Sequence, residues 1–597
     1  MSKPVTIEDI ANRVDSAMGN KPVDLVIRNV RLLNLFTGNV VPTDIAIVGQ
    51  RIVAIGSGYK AKKEIDGKGR FAVPGFINAH VHVESSLLVP SEFQKIVLPR
   101  GTTTIVCDPH EMANVVGTDA LKYFFEAARE SKLDMFVQLP SCVPATAFET
   151  SGAVLNVEDL EPFFKEPLSF GLAEMMNVPG VLFKDPGVLA KIAATHNAGK
   201  GIDGHAPDVR GRALQALIAC GVQNDHESFT AEEAAEKMAN GMRVFIREGS
   251  VCKNLAAMVP LINARTASRF AFCTDDRKPH DIQTKGDVDN IVREAIALGV
   301  DVTDAYRIAT LSGAEAYGFT DRGEIKPGAL ADIVLVNDLR ACDVQMVVKR
   351  GQVVNDDMFP KVAPQTAIGL NSVHVKEVTA ADFAVEGDGM DTPVIGLIKD
   401  QIVTDALYED LPSDGRFVYA DPTQDVLKLA VVERHKKTGN IAISFAKGFG
   451  IDDCAIASTH GHDSHNITVV GSSDEQMALA VNRIREIQGG FVVVHKGKVA
   501  ASVSLPVAGL MTNDAEKLMP ELHAFHRAID LLKPAVHDPL LHLAFLPLCV
   551  IPKWKLTDKG LVELDIEGGK GLFFVEQKRP TFKPDAGLGR RVVDCAR

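Results

Sequence analysis

Between residues 76 and 319 the chain alternates short apolar runs with longer amphipathic ones, and this alternation limits the folds open to it. Eight runs have the length and the β-branched or aromatic content of strands: 76–82, 103–107, 135–139, 168–174, 201–205, 222–226, 243–246 and 270–274. Between them, segments such as 119–131, 186–196, 231–239 and 288–298 carry apolar residues at helical spacing. Strands joined by helices build a parallel sheet with crossover connections. Eight such units in this length predict an α/β chain folded as a closed (β/α)8 barrel.

The polar residues at the strand ends suggest what the barrel is for. His80 and His82 flank Val81, and because side chains alternate along a strand, both project on one side and can reach one cation. Pro74 and Gly75 mark the turn into that strand. A His-x-His pair alone also suits a hydrogen-bonded core. Here, however, the fourth strand ends in Glu174, the fifth in His205, the sixth in His226, and Asp275 follows the last. Catalytic groups in this architecture sit where strands end, and buried strands seldom end repeatedly in His, Glu and Asp for packing alone.

Short β-rich runs from 23 to 73 return in texture at 323–354, which predicts one sheet domain interrupted by the barrel. The expected division is 1–75 (a helix and the first part of the split sheet), 76–322 (barrel), 323–362 (second part of the sheet) and 363–597 (an α+β domain). In the last, 421–435 and 474–488 read as helices and 440–446, 467–470 and 491–495 as strands. His460, His462, Asp463 and His465 cluster there; they suit either a metal site or a loop that shapes the barrel mouth.

A net charge of -13 argues against a nucleic-acid backbone as partner and leaves small molecules as the expected ligands. The nine cysteines are scattered without a C-x-x-C pair, which fits a reduced, cytoplasmic setting. Residues 1–20 read as a short amphipathic helix rather than a signal peptide, and no apolar run is long enough to span a bilayer.

Five segments carry a resemblance: Ala79-His-Val-His-Val-Glu-Ser-Ser, Asp108-Pro-His-Glu, Gly204-His-Ala-Pro, Cys273-Thr-Asp-Asp and Gly461-His-Asp-Ser-His-Asn. Together they resemble the amidohydrolase superfamily and, within it, the bacterial adenine deaminases, over nearly the whole chain. The resemblance implies two divalent metal ions, Mn2+ or Fe2+ first and Zn2+ as an alternative. It assigns His80, His82 and Asp275 to one metal and His205 and His226 to the other, with Glu174 bridging where many two-metal members have a carbamylated lysine. The implied activity is hydrolytic deamination of adenine to hypoxanthine and ammonia in purine salvage.

Asp275 is then the proton acceptor, and Glu84, Glu111, Glu248 or Asp276 the proton donor, with Glu111 favoured from its motif. His110 suits an extra metal or a bond to the purine, and Ser85 and Ser86 suit substrate contact or capping. Rival readings are the same scaffold acting on another aminopurine or a cyclic amide such as a hydantoin, and a noncatalytic purine-binding protein. A homodimer or larger assembly is expected.

Overall fold

The computed structural model of the protein describes residues 5–250, 252–359, 367–399, 401–565 and 570–575. Its centre is an array of eight parallel strands in two sheets. Phe76–Val81, Thr102–Cys107, Asp134–Leu139, Ser169–Met175 and Gly201–Gly204 pair in that order, and Asn224–Asp225, Arg243–Arg247 and Phe270–Cys273 form the second sheet. Single parallel bridges, Ile202 to Val222 and Val81 to Asp275, join the sheets at both seams. The strands Phe76–Val81, Thr102–Cys107 and Phe270–Cys273 are buried at every position, as expected when helices cover a parallel sheet. Helices Thr118–Glu130, Pro186–Asn197, Ala231–Ala239 and Val288–Ala297 lie where the apolar spacing placed them. The sixth strand is shorter than its apolar content suggested: only Asn224–Asp225 ladders, and His226 lies just beyond it.

A further sheet draws on chain from both sides of this array. Ile333–Val336 pairs antiparallel with Phe71–Pro74, which continues through Val23–Leu33 to Val40–Val48 and Arg51–Ile55. The chain therefore enters and leaves the array through neighbouring strands. Asp134, at the entry end of the third array strand, fastens the two bodies: its carboxylate accepts from Arg322 (2.8 Å), Lys349 (2.8 Å) and Arg350 (2.6 Å). The N-terminal helix is Ile7–Ala17, started by a Thr6–Asp9 capping box.

The C-terminal part is built on a mixed sheet in the order Thr404–Glu409, Thr392–Leu397, Ile441–Lys447, Val426–Val432, Ile467–Gly471, Cys454–Ser458, Gly490–His495 and Lys498–Ser504. Helix Asp474–Ile487 packs on one face through Met477, Val481 and Ile484, and helix Ala515–Leu532 lies against Lys498–Ser504. Here the helix expected over 421–435 is corrected. That segment is a short turn, Pro422–Gln424, followed by the strand Val426–Val432. All seven strand residues are buried, so no period of two shows in the sequence, and Lys428 mimics the polar side of a helix. Its ammonium instead bonds Asp474 (2.5 Å) and the Phe383 carbonyl (3.0 Å). Among the described residues, no helix is long and apolar enough to cross a membrane.

Candidate active site and metal centre

At the exit ends of the array strands, His80, His82, Glu174, His205, His226 and Asp275 meet. Glu174 is central, and its two oxygens face different partners. Oε1 lies 3.3 Å from His82 Nε2 and 4.0 Å from His80 Nε2, whereas Oε2 lies 2.8 Å from His205 Nδ1 and 3.2 Å from His226 Nε2. Asp275 Oδ1 completes the first group, 3.0 Å from His80 Nε2 and 3.1 Å from His82 Nε2, and is 3.9 Å from His226 Nε2. Two donors about 2.1 Å from a shared cation stand about 3 Å apart, so these spacings match ligand sets.

The hydrogen-bond pattern points the same way. Both ring nitrogens of His80, and Nε2 of His226, are buried without a hydrogen-bond partner among the described residues. Burying such atoms unpaired is costly, and cations taken by Nε2 of His80 and by Nε2 of His226 would remove that cost for these two atoms. His82 is oriented for the same task. Its Nδ1 bonds the Asp108 carbonyl (3.0 Å), which turns Nε2 toward Glu174 and Asp275. Burial opposes ionisation of Glu174, yet the His205 hydrogen bond and the neighbouring His226 and His82 imidazoles hold its carboxyl well below the usual range. The histidines His80, His82 and His226 are 1–4% exposed, but the His205 side chain is 28% exposed, so the centre opens on that side.

Local structure sets Asp275. Asn78 and Thr274 exchange two hydrogen bonds (2.7 and 3.1 Å), fixing the last strand against the first. Asp275 then takes a left-handed conformation, φ 53°, with its N–H donating to the His80 carbonyl (3.0 Å). Arg247 closes on Asp275 Oδ2 and on Glu227 Oε1, so Oδ1 is left to the histidines. Burial resists its ionisation, but the Arg247 guanidinium and the adjacent His80 and His82 imidazoles hold the Asp275 carboxyl well below its ordinary value.

Glu111 lies in a second, adjoining cluster. It lies in the first turn of the helix His110–Val116, and His110 stands between it and the centre: Nε2 is 3.6 Å from Glu111 Oε1, and Nδ1 is 3.5 Å from Glu174 Oε1 and 2.9 Å from Asp108 Oδ2. From the C-terminal part, His462 Nδ1 reaches Glu111 Oε1 at 2.8 Å and His465 Nε2 bonds Oε2. Of the remaining candidates, Ser85 donates to Asp276 (2.5 Å), Ser86 to the Val83 carbonyl (2.6 Å), Glu84 accepts from the Met112 N–H (3.1 Å) and Glu248 from the Leu255 N–H (3.0 Å). His460 turns away to the Leu510 carbonyl (3.1 Å).

Sequence reasoning did not single out Arg247 or Asp108. Arg247 ends a strand as the candidate ligands do, but a cationic side chain is not sought among candidates for metal binding. Asp108 lies inside a quoted motif yet acts partly through its backbone carbonyl, which no side-chain pattern reveals.

The amidohydrolase family profile matches residues 71–354 and the adenine deaminase C-terminal domain profile matches 401–567. An adenine deaminase of Gluconobacter oxydans (strain 621H) is 52% identical over 93% of this chain and 98% of its own. Adenine deaminase 1 of Rhizobium meliloti (strain 1021) is 48% identical over 94% of this chain and 99% of its own. With matches of that length and identity running through both parts of the molecule, the chain belongs to the adenine deaminase family of amidohydrolases.

Proposed function

We propose that this protein hydrolyses adenine to hypoxanthine and ammonia at a two-cation centre. The observation that carries the reading is Glu174, whose oxygens face two separate histidine pairs in a chain of this family. His80, His82 and Asp275 would hold one cation, His205 and His226 the other, and Glu174 both. The donors are imidazole and carboxylate without thiolate, which suits Mn2+ or Fe2+ and also admits Zn2+. When bound, such cations lower the pKa of water from about 15.7 to about 7.

The chain's own residues then manage protons and orientation. Asp275 Oδ1 takes a proton from the attacking water while Arg247 steadies Oδ2. The water oxygen bonds to C6 of the purine and the bond from C6 to the exocyclic nitrogen breaks. Both protons of the water end in the products, one on the ring nitrogen and one on the departing amine, which leaves as ammonia. Asp275 hands on the proton it took, and we assign the other transfer to Glu111, one imidazole ring away from Glu174 through His110, whose ionised carboxylate takes up the second water proton and passes it on.

The bridges at both seams support reading the two parallel sheets as one closed (β/α)8 barrel, with divisions of the chain near 75, 322 and 362. The same reading puts the enzyme in purine salvage in the cytoplasm, as a homodimer or larger. Ammonia release from adenine, run beside a hydantoin and other aminopurines, is the test. Release from adenine is expected. Turnover of a hydantoin or another aminopurine without adenine, or of none of them, would overturn the proposal.

A further inference from the structure

We infer that His465 and His462, carried by the C-terminal sheet, are positioning residues that fix the Glu111 carboxylate at the edge of the centre, and that they do not hold a third metal ion. The inference rests on the adenine reading and gives the C-terminal part a role in that same site.

Glu111 is buried, and from the array His110 Nε2 stands 3.6 Å from its Oε1, beyond hydrogen-bond distance. A carboxylate out of water needs donors or it does not stay ionised. Those donors come from a loop more than 350 residues further along the chain, between the strands Cys454–Ser458 and Ile467–Gly471.

The loop is held so that the donors are aimed. Arg434, wholly buried at the end of Val426–Val432, donates to the carbonyls of His465 and of Ala508 (2.9 Å), and its N–H to Asn466 Oδ1 (3.2 Å). Asn466 in turn donates to the Thr150 carbonyl (2.8 Å) on the array side. The His462 N–H donates to the Ala544 carbonyl (2.9 Å), and its ring stacks on Phe545 with centroids 4.7 Å apart.

The tautomer of His465 decides between positioning and metal binding. The Gly461 N–H donates to His465 Nδ1 (3.4 Å), so Nδ1 is the acceptor and Nε2 carries the hydrogen. A protonated Nε2 donates to Glu111 Oε2 and has no lone pair for a cation. Burial pushes His465 down to about 4, in keeping with a neutral donor, whereas His462, despite burial, is raised by Glu111 to about 9 and supplies the positive charge. Glu111 thus has one oxygen tied to a neutral donor and the other facing a charged ring. Its plane is set before substrate arrives.

The full-length protein loaded with Mn2+ tests this. With wild type turning over adenine, His465→Ala is expected to lower kcat by about 10–100-fold, the loss of one hydrogen bond to a charged group, with KM changed less. His465→Gln, which keeps an N–H in reach, should recover most of the loss. In a Glu111→Gln background, His465→Ala should add little, because the two act as one unit. Bound metal should stay at the wild-type equivalents in every His465 and His462 variant. Loss of one equivalent in His462→Ala or His465→Ala would replace this inference with a metal site. An unchanged kcat in His465→Ala, a glutamine variant as impaired as the alanine, or additive effects with Glu111→Gln would refute it. Wild type inert toward adenine would instead defeat the reading of the activity, and the metal counts would still show whether the loop binds a cation.

Discussion

Replacing Glu174 by glutamine keeps its size but removes the charge that His80, His82, His205 and His226 converge upon. Glu174→Gln is expected to drop bound metal from two equivalents to one or fewer and to cut turnover by at least about a hundredfold; retention of both would show that Glu174 does not bridge. Arg247 acts one step back. Arg247→Met leaves Asp275 Oδ2 and Glu227 without their shared partner, so competition with a chelator should show metal affinity weakened by about 10–100-fold. The convergence of these side chains was legible because His, Glu and Asp at the ends of successive apolar runs have few structural uses. The histidines on Glu111 were recognisable as a cluster but not as its partners, since contact across more than 350 residues leaves no spacing to read.

Among the elements, the seam between the split sheet and the array depends most on charge. Asp134 accepts from Arg322, Lys349 and Arg350, and although burial opposes it, Lys349 and both arginines keep its carboxyl well below the ordinary value. Asp134→Asn leaves three cations facing a neutral group, and a loss of about 3–5 kcal/mol is expected in denaturant unfolding. The sign of the pH effect follows from the depressed folded pKa. The contribution is present above the unfolded carboxyl value of about 3.9 and is lost as pH falls through the folded value. The variant should therefore lose less stability than wild type on acidification below about pH 4. The array strands were legible because Gly and polar turns bound short apolar runs. Val426–Val432 was misread because burial on both faces erased its period and the partner of Lys428 lies 46 residues on.

The whole molecule is three bodies around one centre: the array with its candidate ligands at the exit ends, the split sheet that braces the opposite, entry end, and the C-terminal sheet that delivers His462 and His465. Cations binding only the folded chain should stabilise it. At free Mn2+ about 100-fold above Kd, each site adds about 2.7 kcal/mol, visible as a raised unfolding midpoint that a chelator reverses. The most direct test of the central claim is to strip the protein of metal, return Mn2+ in steps and follow ammonia released from adenine. The stripped protein should be inactive, and activity should rise with added metal and level off at two equivalents per chain. Full turnover without metal, or saturation at a single equivalent, would contradict the account.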